Sequence, residues 1–157
     1  MHTPASIKGH PLHPMLIAFP IGLWGFSLVA DLVYRWGLGG PTWSTVAYYT
    51  LAAGIVGALV AAVPGAIDLF SIRDPKARRI GLAHMAINLV VVGLYVANFL
   101  VRRAAGHDSA FGIALSAAAV LLLCASGWLG GELVYVYGIA VEGRPEGKLE
   151  EHRAAHR

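Results

Sequence analysis

The sequence predicts an all-α integral membrane protein built as an up-and-down bundle of four transmembrane helices, and three observations lead there. The 157 residues are 57% hydrophobic and only 13% charged, against about 25% charged in an average soluble domain. Four apolar segments stand out: Met15 to Tyr34, Val46 to Phe70, Ile80 to Val101 and Phe111 to about Tyr135. Each has the roughly 20 residues that a helix needs to cross a bilayer core. The links between them, "RWGLGGPTWST", "SIRDPKARR" and "RRAAGHDSA", are short, so consecutive helices are antiparallel neighbours.

The first segment opens on "GHPLHPMLIAFP". The first N–H groups of a helix lack internal partners, so proline is tolerated there. On that argument Pro11 is the first helical residue, His10 the cap and His13 the third residue, with both histidines on one face. Pro20 frees the Leu16 carbonyl and is expected to kink the helix. No small-residue cleavage pattern follows the apolar run, so this first helix is expected to stay. The second segment follows the Gly-Gly-Pro turn, and the third follows Asp74–Pro75, both turn chemistry. The fourth ends near Glu132 to Tyr135. The division expected is a transmembrane domain over residues 1–141 and a charged cytoplasmic tail over 142–157, where His152 and His156 read as surface residues.

Basic residues set the orientation. One side holds Lys8, Arg73, Lys76, Arg78, Arg79, Arg144, Lys148, Arg153 and Arg157, nine in all, and the other holds Arg35, Arg102 and Arg103. By the positive-inside rule both termini are cytoplasmic, in the inner (plasma) membrane. The same rule accounts for the net charge of +3 without a nucleic-acid partner, and no phosphate loop or zinc-finger spacing is present. Cys124, the lone cysteine, reads as a small buried hydrophobe. Gly127 and Gly131, with Ala61 and Gly65, have the small-residue spacing of close helix contacts, a homodimer face among them.

The topology gathers His10, His13, Asp68, His84, Asn88 and Glu132 at one membrane depth near the cytoplasmic side. The outer half has Asp31 and Arg35, four apart and read as an interfacial pair, and Asn98. Ionisable residues inside spans usually serve a function or a specific partner, which directs attention to His84.

"HPLHPMLIAFPIGL", "PGAIDLFSI", "GLAHMAINLV" and "GGELVYVYGIAV" together resemble a family of bacterial predicted membrane proteins, domain of unknown function twenty-two thirty-one, from His10 to Val141. The resemblance implies four helices and no assigned activity. Some members are similar in arrangement to redox proteins with an attached iron–sulfur domain of the Rieske type; none is read in these 157 residues, so electron transfer by that route is not expected here.

Three functions fit these residues. In the first, haem b is held by His84 and by His13 or His10, with propionates on Arg73, Lys76, Arg78 and Arg79 and with Asp68 or Asn88 holding the far ring nitrogen of His84. The protein is then an electron carrier or redox subunit without substrate chemistry of its own, passing electrons to a quinone or a redox protein. In the second, His10, His13, His84, Asp68 and Glu132 bind a zinc, copper or iron ion. The third is a cofactor-free interaction module or small transporter, its polar cluster fixing the bundle.

Overall fold

The computed structural model describes residues 3–141, so the expected tail over 142–157 lies outside the described residues. A two-stranded antiparallel hairpin comes first, β1 (Ser6–Ile7) and β2 (His10–Pro11). Its two-residue turn, Lys8–Gly9, has φ of 51° and 81°, the paired positive dihedrals of a type I′ turn. Helices follow: α1 (Leu12–Leu16), α2 (Ala18–Arg35), α3 (Thr42–Ser71), α4 (Pro75–Ala105) and α5 (Ala110–Tyr135).

α1 and α2 together form the first span, Leu12–Arg35, and α3, α4 and α5 are the other three. The four-span, all-α architecture is therefore present. The break at Ile17 lies where Pro20, lacking an N–H, leaves the Leu16 carbonyl without its helical donor. The helix start differs by one residue from the sequence argument. Pro11 is the cap and Leu12 the first helical residue, because Pro11 pairs with Ser6 in the hairpin and keeps an extended backbone, φ −71° and ψ 125°; the Leu12 N–H donates to the Ala5 carbonyl at 2.9 Å. His10 belongs to the hairpin and caps nothing; its Nδ1 lies 3.1 Å from the Lys8 carbonyl.

α4 starts where the sequence places a stop-and-start signal: the Asp74 carboxylate accepts from the Lys76 and Ala77 amides, with Pro75 at the first helical position. α3 has 30 residues and α4 has 31, about 45 Å each, which exceeds the hydrocarbon core and requires tilt or protrusion. α2 packs along α3 and α4 along α5, and the two pairs meet around Trp24, Leu51, Val91, Tyr95 and Ala119. At the centre the Trp24 and Tyr95 rings stack 4.1 Å apart and 9° from parallel. The Trp24 indole occupies the space a side chain at Gly54 would fill, so this contact requires glycine. Large apolar residues such as Phe19, Val63, Leu121 and Trp128 face outward, as helices surrounded by lipid present them.

Two sequence readings change. Cys124 is exposed on the outward face of α5. Gly127 has nothing within 4 Å of where a Cβ would stand, so the Gly127–Gly131 spacing brings no helix close within this chain.

Candidate functional site

One end of the bundle brings His13 on α1 and His84 on α4 together, with ring centroids 6.3 Å apart and planes at 89°. Each ring is anchored to a different helix. His13 Nδ1 lies 2.8 Å from the Ala61 carbonyl on α3, in the turn that also holds Pro64. His84 Nδ1 lies 2.9 Å from the Ser126 carbonyl on α5, with the Ser126 hydroxyl 3.0 Å from the same nitrogen.

These contacts fix the tautomers. A carbonyl only accepts, so in both rings Nδ1 carries the proton and donates. Asn88 adds a second constraint at His84: its Nδ2 is 3.0 Å from His84 Nε2 and 3.0 Å from the His84 carbonyl. The amide NH2 donates to both, so Nε2 of the neutral ring accepts. In the neutral form of either ring the lone pair is on Nε2, and the backbone holds the opposite nitrogen. This is the arrangement by which ligating imidazoles are usually oriented.

The rings also leave no room for side chains beside them. A Cβ at Gly65 would stand 2.6 Å from His13 Nδ1, and one at Gly130 would stand 3.2 Å from His84 Cε1. Contacts under 3.0 Å force a shift, so Gly65 in particular is required by the position of His13.

The other sequence candidates divide. Asn88 reaches His84 at Nε2, the nitrogen with the lone pair, and not at the far nitrogen it was expected to hold, which the Ser126 carbonyl takes. Asp68 does not reach the ring, because Ser126 and Asn88 occupy both of its nitrogens. The buried Asp68 carboxylate accepts from the Ala5 N–H at 2.9 Å and ties the N-terminal segment to α3. His10 is exposed in the hairpin. Glu132 is half-buried, and its backbone carbonyl accepts from Val136 and Tyr137. Among the described residues no three His, Cys, Asp or Glu side chains form a metal-holding group. The five-residue metal set of His10, His13, His84, Asp68 and Glu132 is therefore not assembled: the hairpin carries His10 away, and Asp68 is committed to Ala5. Arg73, Arg78 and Arg79 are exposed around the α3–α4 connection and the start of α4, the end at which the histidines lie.

At the opposite end Asp31 pairs with Arg102, not with Arg35. The guanidinium donates from NH1 and NH2 to the two carboxylate oxygens at 2.7 and 2.6 Å, with both side chains at most 1% exposed. Arg102 Nε donates to Asn98 Oδ1 at 2.8 Å, NH1 also donates to the His107 carbonyl at 2.9 Å, and Asn98 Nδ2 donates to Ser116 Oγ at 2.8 Å. Arg35 is exposed. Sequence spacing favoured the neighbour four residues away. The available signal for the other partner was that Arg102 and Asp31 lie at the same end of the bundle and an ionisable group in a span needs a buried partner.

The model of a family described as predicted membrane protein (DUF2231) matches residues 9–143. Comparison with curated proteins and with solved structures found no match.

Proposed function

The chain belongs to the DUF2231 family of predicted membrane proteins, and on that premise we propose that it is a membrane electron-transfer protein holding one b-type haem between His13 and His84. The histidine pair carries this reading. Two imidazoles from different helices stand 6.3 Å apart, each with Nδ1 held by a backbone carbonyl and its lone pair on Nε2. Imidazoles sharing one ion at about 2 Å from each ligating nitrogen have ring centres on the order of 6 Å apart.

The donor set favours haem over a bare ion. Zinc takes four protein ligands, or three and a water, whereas haem needs only axial ligands from the protein because the porphyrin occupies the other positions. Bound there, haem supplies a one-electron Fe(III)/Fe(II) couple. The chain's own residues then have defined tasks. The Ala61 and Ser126 carbonyls hold the rings and raise their basicity. Arg73, Arg78 and Arg79, exposed at that end of the bundle, would meet the propionates. A quinone or a redox protein exchanges the electron. The nine-to-three distribution of basic residues supports an inner-membrane orientation with both termini cytoplasmic.

Purification in mild detergent with elemental analysis tests the reading. Haem iron is expected at one per chain and is lost in both His13→Ala and His84→Ala. Stoichiometric iron or copper without porphyrin would replace haem by an ion, and neither metal nor haem would favour a cofactor-free module.

A further inference from the structure

Asn88 presents its amide to the nitrogen that a ligand at His84 would need. Its orientation is determined by its surroundings. If the amide oxygen faced His84, it would lie against the His84 carbonyl, acceptor against acceptor, and it would demand a proton on Nε2 while Ser126 already demands one on Nδ1. With the NH2 inward, both hydrogens have acceptors at 3.0 Å, and the ring is satisfied at both nitrogens, Ser126 holding the other. The half-buried imidazole thus has no unmet hydrogen bond, and in a membrane interior an unmet one would be costly.

We propose that Asn88 is a gate on the His84 lone pair, a positioning residue that stabilises the ligand-free site and must turn away for an iron porphyrin to bind. The inference rests on the reading of His13 and His84 as the ligating pair. It makes loading reversible: the empty site is hydrogen-bonded and folded, and the porphyrin displaces one contact. On displacement Asn88 keeps the His84 carbonyl as an acceptor, so only the Nε2 bond is lost. One neutral hydrogen bond shifts an equilibrium by about fivefold.

The test uses the full chain in detergent, freed of any bound porphyrin, with ferric haem (hemin) as the probe and 15N-labelled histidine as the reporter. Two-bond nitrogen–proton correlations read the His84 tautomer, and absorbance reads hemin affinity. Wild type is expected to carry the His84 proton on Nδ1. Asn88→Ala keeps that tautomer through Ser126 and binds hemin about fivefold more tightly. Asn88→Asp offers a carboxylate that only accepts, which moves a proton onto Nε2 and weakens hemin binding by about tenfold or more. Thermal melting of each variant confirms that it is folded. Equal or weaker binding in a folded Asn88→Ala overturns the gate and leaves the histidine pair standing. A wild-type chain that takes up no hemin overturns the pair and the gate together.

Discussion

Replacing Arg102 with leucine isolates the network around Asp31 from the histidine site at the other end of the bundle. The substitution leaves the Asp31 carboxylate buried without its two donors. It also strips a donor each from Asn98 Oδ1 and the His107 carbonyl. Breaking a buried ion pair by removing one partner costs about 3–5 kcal/mol, and the additional orphaned acceptors place Arg102→Leu toward the upper end of that range. At about 2–4 °C per kcal/mol for a chain of this length, the melting temperature in detergent falls by about 10 °C or more. The double variant Asp31→Leu with Arg102→Leu removes both charges and is expected to recover most of that loss, because a buried pair exchanged for apolar residues is often neutral. Arg102 is 18 residues beyond His84 in the sequence, about 27 Å along α4, so haem content per folded chain is unchanged. Circular dichroism melts of the two variants and wild type check the ordering. A single variant as stable as wild type, or a double variant no better than the single, would refute the assignment of Asp31 and Arg102 as each other's partners.

Asp68→Leu removes the acceptor for the Ala5 amide and is expected to speed hydrogen exchange at Ala5 by tenfold or more, as that bond no longer closes, while Asp68→Asn keeps an acceptor oxygen and most of the protection. Gly65→Ala places a methyl 2.6 Å from the His13 Nδ1 position and should displace that ring and lower hemin affinity about tenfold; Gly22→Ala, which meets nothing within 4 Å, serves as its control. Reporter fusions after Arg157 and within residues 103–110 are expected to report cytoplasm and periplasm respectively, and the opposite pattern would invert the bundle in the membrane.

The fold was legible because its determinants are local. Apolar runs of spanning length, Asp74–Pro75 at a helix start and Pro20 inside the first span each act within a few residues. Half of the site was legible for the same reason: short loops and antiparallel order bring His13 and His84 to one depth, and Asn88 follows His84 by one helical turn. What escaped was set by contacts far apart in sequence. The Lys8–Gly9 turn folds the N-terminal segment back so that Ala5 takes Asp68, and nothing in "PGAIDL" announces that partner. Ser126 meets His84 through its carbonyl, which every residue has, and through its hydroxyl, but a serine inside an apolar run 42 residues away in sequence does not announce that partner. Asp31 had a nearer cation in the sequence and a buried one across the bundle, and the buried one formed the pair because a desolvated carboxylate gains more from a guanidinium held in place by Asn98 and Ser116 than from one in solvent.

The central claim is that His13 and His84 ligate one haem from opposite sides, and the reduced-minus-oxidised absorption spectrum of the purified chain tests it most directly. Two axial imidazoles make a six-coordinate, low-spin iron, so the account predicts a sharp α band on reduction with dithionite. His13→Ala and His84→Ala should lose that band, while His10→Ala, whose ring is exposed and bonded within the hairpin, keeps it. A wild-type spectrum without a Soret band, or a band that survives the loss of His84, would contradict the account.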